Sequence, residues 1–214
     1  MTFAPEALRA VGPVGACSML ILAWAALGGP SWTWWAGPSL MVLSVVLLGF
    51  FRDPRRATPS GPGLVISPAD GRIAETGVTP DGRVHAAVFL SLLDVHVNRV
   101  PISGRVISVT RCSGTFHHAA SERAARENAC VQVEVATDFG PVFFRQIAGR
   151  LARRVSCRLK PGDYVVTGQR FGLIYFGSRM ELHMPSGAHL LVECGKRVRA
   201  GESVLAELVS EVRS

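Results

Sequence analysis

Two apolar runs without a charged residue, Val14 to Gly29 and Gly37 to Phe51, fill most of the first quarter of the chain and decide what that quarter can become. In lipid, the backbone groups of such a run find no water and must be satisfied within the run itself, so the helix is the available form. Each run is somewhat shorter than the roughly 20 residues a spanning helix needs. Trp32, Trp34 and Trp35 lie in the uncharged link Pro30-Ser31-Trp32-Thr33-Trp34-Trp35, and indole rings suit a membrane interface. We therefore expect an apolar helical hairpin. Arg9 precedes the first run and Arg52, Arg55 and Arg56 follow the second, which favours both ends on the cytoplasmic side. A monotopic hairpin dipping into one leaflet also suits short runs, the second opened by Pro38, and the sequence does not separate the two forms. A signal peptide is disfavoured, because the charged n-region is thin and no small-x-small cleavage signal follows.

Beyond this segment the sequence is ordinary globular material. A chain of 214 residues accommodates one compact domain besides the membrane segment, so we expect residues 1–56 to be membrane-associated and 57–214 to form the folded domain that carries whatever chemistry the chain has. Thr58-Pro59-Ser60-Gly61-Pro62-Gly63 reads as the linker. Alternating and β-branched runs predict strands at Arg83 to Leu90, Gly104 to Val109, Cys130 to Val135, Glu181 to Met184 and His189 to Glu193. Pro80-Asp81-Gly82, Asp138-Phe139-Gly140-Pro141 and Lys160-Pro161-Gly162-Asp163 supply turns. One short helix is expected over Ala119 to Asn128, with Ser121 as its N-cap. The expected fold class is α+β and β-rich: a mixed sheet or barrel-sandwich-like domain preceded by the helical hairpin.

The formal charge of +7 and the pI near 9.8 suit an anionic partner. The basic residues are dispersed, apart from Arg145, Arg150, Arg153, Arg154, Arg158 and Lys160, and no nucleic-acid motif accompanies them. Anionic lipid is the simpler partner. That cluster reads equally well as a solvated face. Cys17, Cys112, Cys130, Cys157 and Cys194 are odd in number and lack C-x-x-C spacing, so they read as buried thiols in a reducing compartment, without a disulfide framework or zinc site.

Candidate chemistry lies in four segments. Near the C-terminus, Ile174-Tyr175-Phe176-Gly177-Ser178-Arg179 contains a Gly-Ser pair, which by itself is a common turn. It is also a possible self-cleavage site, where Ser178 attacks the Gly177 carbonyl, converts the amide to an ester and eliminates to dehydroalanine. A serine hydroxyl is a weak nucleophile at neutral pH and needs a base within hydrogen-bond reach, itself oriented by a third group. His96, in Asp94-Val95-His96-Val97-Asn98-Arg99-Val100-Pro101, can be that base. Asp70, in Ser67-Pro68-Ala69-Asp70-Gly71-Arg72-Ile73, or Asp94 could hold the imidazole tautomer. Taken alone, Asp70 is a turn former and His96 an ordinary residue at a strand end.

Together with Phe50-Phe51-Arg52-Asp53-Pro54, Gln146-Ile147-Ala148-Gly149 and Lys160-Pro161-Gly162-Asp163, these segments resemble, in order and spacing, the short form of the phosphatidylserine decarboxylase proenzymes. The likeness extends from Phe50 to the C-terminal region. It implies a carboxy-lyase that cleaves itself between Gly177 and Ser178 into residues 1–177 (the beta chain) and 178–214 (the alpha chain), which stay together as a heterodimer. It implies a covalent pyruvoyl group derived from Ser178, which forms a Schiff base with phosphatidylserine and yields phosphatidylethanolamine and carbon dioxide. Ser178, His96, Asp70 and Asp94 are then the catalytic residues, with no metal or nucleic acid involved. The enzyme would sit at the inner cell membrane with its catalytic domain on the cytoplasmic face, as this heterodimer or as a higher homo-oligomer. Many longer relatives have a second histidine where this chain has Arg99, so His96 serves both steps or shares them with water and Asp94. His183 is an alternative base, and His117 and His118 read as loop residues.

A second reading makes the protein a membrane-tethered barrel-sandwich adaptor without chemistry. The segment Lys160 to Gly172 resembles a turn of lipoyl-type modules, but no exposed Met-Lys-Met turn is present. A serine hydrolase is disfavoured by the lack of Gly-x-Ser-x-Gly around Ser178.

Overall fold

The computed structural model describes residues 2–115, 117, 123, 127–149, 155–175 and 178–209. The chain divides after Arg55 into two units. The first contains β1 (Thr2–Phe3), α1 (Glu6–Ala26), α2 (Thr33–Phe50) and β2 (Arg52–Asp53). Both helices are longer than the charge-free runs that predict them. α1 has 21 residues because it begins at Glu6 and takes in Arg9, and α2 has 18 because Trp34 and Trp35, expected in the link, belong to its first turn. At 1.5 Å per residue they measure about 32 and 27 Å, and both are long and apolar enough to cross a membrane.

Small residues bring α1 and α2 together. Ser18 is fully buried and its Oγ donates to the Gly37 carbonyl at 2.7 Å, while Leu22 occupies the space a Cβ at position 37 would need. Trp24 and Trp32 meet edge to face across the turn, their centroids 5.9 Å apart. The strand pair β1–β2 was not expected. Thr2 lies opposite Asp53 and Phe3 opposite Arg52, which ties the two outer ends of the hairpin together.

The second unit is built of β3 (Leu64–Ile66), β4 (Gly71–Val78), β5 (Val84–Leu90), β6 (Val97–Arg99), β7 (Gly104–Cys112), β8 (Cys130–Thr137), β9 (Gly140–Ile147), β10 (Val155–Cys157), β11 (Tyr164–Val165), β12 (Arg170–Ile174), β13 (Ser178–Met184), β14 (Ala188–Leu190), β15 (Arg197–Val198) and β16 (Val204–Leu208). Eight strands, ordered β11-β7-β8-β9-β13-β5-β4-β15, form a large curled sheet, a half-barrel accompanied by the three-stranded sheets β10-β12-β6 and β14-β16-β3. The expected α+β, β-rich class with its apolar hairpin is what the chain adopts. Among the described residues the strand ladders are antiparallel, and the one parallel pairing is the isolated bridge between Thr115 and Asn128.

Alternation places the core. Val131, Val133 and Val135 of β8, Val142 and Phe144 of β9, Met180, Leu182 and Met184 of β13, and Val84, Val88 and Leu90 of β5 are all buried in one cluster. The rings of Phe144 and Phe171, 5.0 Å apart, join the large sheet to β12. Gly71 opens β4 because a Cβ there would lie 2.0 Å from the Phe89 carbonyl oxygen. Of the expected strand His189 to Glu193, only His189 and Leu190 are strand, within β14, although the Leu191 N–H still donates to the Leu205 carbonyl of β16 at 2.9 Å. The expected helix Ala119 to Asn128 falls mostly outside the described residues, as do His118, Arg150, Arg153 and Arg154. Among the cysteines only Cys130 is buried, while Cys17, Cys112 and Cys194 are exposed, which corrects the expectation of buried thiols; all five are free.

Candidate active site

Two chain connections link the large sheet to the sheet β10-β12-β6. One leaves β5 after Leu90, turns through Ser91 to Asp94 and reaches β6 at Val97; the other leaves β12 after Ile174 and enters β13 at Ser178. Ser178 pairs with Leu90, the start of the first connection, and the Ile174 N–H donates to the His96 carbonyl at 3.3 Å, near its end. The topology thus delivers Ser178 and His96, far apart in sequence, to the same pair of crossings. Gly177 lies outside the described residues.

Both side chains are fully buried. Among the described residues the Ser178 Oγ has no hydrogen-bond partner, an uncommon condition for a buried hydroxyl. Nδ1 of His96 lies 2.9 Å from the main-chain oxygen of Asp94, a contact that needs the proton on Nδ1 and leaves Nε2 as the basic nitrogen of the neutral ring. The orienting atom is therefore a peptide carbonyl of Asp94, whereas a carboxylate was expected. The Asp94 carboxylate instead accepts from the Ser91 N–H at 2.9 Å and the Ser91 hydroxyl at 2.6 Å, closing its own turn, and pairs with Arg197 at 3.2 Å.

Asp70 serves as a clamp. Its carboxylate accepts from Arg56 at 2.7 and 2.9 Å and from the Ala200 N–H at 2.7 Å, holding three distant segments together. Burial pushes the Asp70 carboxyl above its ordinary value, against the opposing pull of Ala200 and Arg56. The guanidinium gripping both oxygens favours the ionised form against that rise. Arg99, three residues after His96, is buried and donates to the Gly168 carbonyl at 3.1 Å.

The other face of β13 carries a charged network that sequence reasoning missed. Arg179, Glu181 and His183 alternate with the core residues Met180, Leu182 and Met184, so they point away from the core. Glu181 lies between Ala87 of β5 and Arg145 of β9, and His183 between His85 and Phe143. Arg179 donates to Glu181 at 2.9 Å and to Glu75 at 3.0 Å, and Arg145 donates to Glu181 at 3.1 Å. Burial alone would raise the Glu181 carboxyl, but the His183 ring 3.8 Å away and the charges of Arg179 and Arg145 outweigh it and hold it below its ordinary value. The hydrogen bond from Arg179 lowers Glu75, and burial, then the neighbouring His183, lowers His85. The period-two placing of Arg, Glu and His between apolar residues in Ser178–Met184 is the signal that would have revealed this face.

Two expectations change accordingly. His183 stands on the opposite face of β13 from Ser178, so it is removed as a base for that serine. Arg145, expected only as a member of a basic cluster, is drawn into an ion pair with Glu181 at 3.1 Å. His85, Glu181 and His183 bring metal-ligand atoms within 4.8 Å of one another, but two guanidinium groups already engage the Glu181 carboxylate. His117 pairs with Glu127 at 2.9 Å, in keeping with a loop residue.

The sequence profile of the family described as phosphatidylserine decarboxylase matches residues 43–206. A phosphatidylserine decarboxylase proenzyme of Ruegeria pomeroyi is 37% identical over 218 residues, covering 95% of this chain and 94% of its own. Another, from Nitratidesulfovibrio vulgaris, is 35% identical over 96% of this chain and 94% of its own. A third, from Paramagnetospirillum magneticum, is 42% identical over 82% of this chain and 76% of its own. With its half-barrel, apolar hairpin and paired crossings, the chain belongs to the phosphatidylserine decarboxylase family and is a carboxy-lyase.

Proposed function

We propose that the chain is a proenzyme that cleaves itself between Gly177 and Ser178 and then decarboxylates phosphatidylserine to phosphatidylethanolamine. The observation that carries this reading is the buried Ser178 hydroxyl without a partner, at the strand end beside the His96 crossing. Its hydroxyl is committed to no other acceptor among the described residues, so it is available to a base brought within reach.

His96, with Nδ1 fixed by the Asp94 carbonyl, takes the Ser178 proton at Nε2 as Oγ attacks the Gly177 carbonyl carbon. The amide nitrogen leaves that carbon and an ester forms. Loss of the Ser178 Cα proton breaks the Cβ–Oγ bond, leaving Gly177 as a carboxylate and residue 178 as dehydroalanine. One water is then consumed and one ammonia released, giving the pyruvoyl group. An orphaned Oγ in a dry strand end fits the origin of that group, which supplies an electron-withdrawing carbonyl able to take up the electron pair left as carbon dioxide departs. His96 would next hold and return the proton at the headgroup carbon. Asp94 positions His96 through its backbone, and Asp70 keeps the Ser67–Asp70 segment against β6, to which it is tied by the Arg99 N–H on the Pro68 carbonyl at 2.9 Å.

Residues 1–177 and 178–214 would remain one fold, because β13 is paired on both edges, with β5 and β9, and neither ladder crosses the cut. Residues 1–56 would anchor the enzyme in the inner membrane and 57–214 would work on its cytoplasmic face.

Denaturing intact-mass spectrometry tests the reading. Two chains split before residue 178, the smaller lighter by one ammonia than a serine-initiated peptide, are expected. One uncut chain after full maturation time would overturn it in favour of the membrane-tethered adaptor.

A further inference from the structure

Four buried side-chain atoms among the described residues lack a hydrogen-bond partner: Asn98 Nδ2, Gln146 Oε1, Ser178 Oγ and Arg145 Nε. The first three belong together. Gln146 lies directly opposite Met180 in the β9–β13 ladder, and Ser178 is two residues along β13 on the same face, a diagonal neighbour at about 7–8 Å between Cα atoms. Asn98 follows His96 by two residues and bonds to Gln146.

The network fixes which atoms are left over. Gln146 Nε2 lies 3.2 Å from the Ser156 carbonyl oxygen, so that position must be the amide nitrogen. The same nitrogen donates at 2.8 Å to Asn98, so the Asn98 atom facing it must be oxygen. The unmatched atoms are therefore a donor, Asn98 Nδ2, and an acceptor, Gln146 Oε1. Gly172, opposite Asn98 in β12, leaves the amide its room, since a Cβ there would stand 2.7 Å from Gln146 Nε2. Both amides are fully buried, and a fold does not leave two such groups unmatched without a compensating partner.

We propose that this pair is the headgroup subsite of the decarboxylase, an inference that rests on the function proposed above. Asn98 Nδ2 donates to the carboxylate of the α-amino acid headgroup, and Gln146 Oε1 accepts from its amino N–H. A neighbouring donor and acceptor match a carboxylate and an amine borne on one carbon. Neutrality matters too. A guanidinium here would hold the substrate's carboxylate more firmly than the transition state in which that charge is leaving, whereas an amide orients it with a weaker grip. Cutting the chain beside Ser178 is the event that admits a headgroup to these buried atoms. The product keeps its amine and has lost its carboxylate, so Asn98 distinguishes substrate from product and Gln146 does not.

The test uses the full-length, self-cleaved enzyme in detergent micelles and the variant Asn98→Asp, which keeps the oxygen facing Gln146 and replaces the orphan donor with an acceptor. KM for phosphatidylserine is expected to rise about 10- to 100-fold. Inhibition by phosphatidylethanolamine should stay within about twofold of wild type, because that ligand has no carboxylate for position 98 to read. Asn98→Ala, which removes the donor without adding charge, should show the same split. Unchanged KM, or equal weakening of both lipids, overturns the subsite while leaving the decarboxylase reading intact. Failure of both variants to self-cleave assigns Asn98 to maturation and likewise overturns it. A wild-type protein that neither cleaves nor decarboxylates removes the parent reading and this one with it.

Discussion

The two faces of β13 are both largely buried and do opposite work. Toward the core, Ser178 shares its face with Met180, Leu182 and Met184, and its hydroxyl has no partner. On the other face, Arg179 and Glu181 are buried within an ion-pair network reaching Glu75 and Arg145. One face withholds a hydrogen bond and keeps a nucleophile; the other satisfies buried charges and fixes the register of three strands. A one-residue slip would exchange the two sets, placing Arg179 and Glu181 in the core, so the ion pairs also guard the position of the serine.

If the faces divide the labour in this way, Ser178→Ala should abolish self-cleavage and decarboxylation completely while leaving stability within about 1 kcal/mol of wild type, since it deletes an unmatched hydroxyl. Mass spectrometry and denaturant unfolding would check the two halves, and a large loss of stability would break the comparison. Next in size, His96→Gln should slow self-cleavage about 10²- to 10⁴-fold, followed as the rate of appearance of the smaller chain.

Glu181→Ala should cost about 3 kcal/mol, the low end for a broken buried ion pair because Glu75 still compensates Arg179, and the folded protein should still cleave. Met180→Ala, on the core face, should cost about 2–5 kcal/mol through its cavity and slow cleavage as well, because it borders Ser178 on the same face. Equal cleavage by both variants would erase the distinction between the faces.

The smallest effect is on acid stability. His85 is held below its ordinary value of 6.5, so the stability it contributes is present above that pH and declines as pH falls through its lower folded value. Glu75 and Glu181, lowered from 4.5, add a further loss at still lower pH, while Asp70, shifted upward, opposes it there. Melting temperature should therefore begin to fall below about pH 6.5, and His85→Asn should flatten that first decline without altering the loss below pH 4.5.

Much of this was legible in the chain. The uncharged runs could satisfy their backbones only as helices, and the alternation in Cys130–Thr137 and Val84–Leu90 left one face of each strand apolar. Gly82, Gly140 and Gly162, all at positive φ, mark the expected turns. Those signals are local, and the physics behind them acts within a few residues. Ser178, His96, Asp70 and Asp94 could also be named from sequence, because the ordered motifs carried the family resemblance.

What tertiary structure alone decided is which atoms meet. No spacing rule says that the backbone of Asp94 would hold His96 while its carboxylate closed a turn, or that Asp70 would grip Arg56 and Ala200. Thr2 found Asp53, Gln146 found Asn98, and Arg179 found Glu75 only through strand register. Register is settled by the packing of whole faces, a property of several strands at once. The sequence by itself therefore determined the elements and the reactive residue types; the fold determined which hydroxyl, amide and carboxylate would be left without a partner and which would be bound.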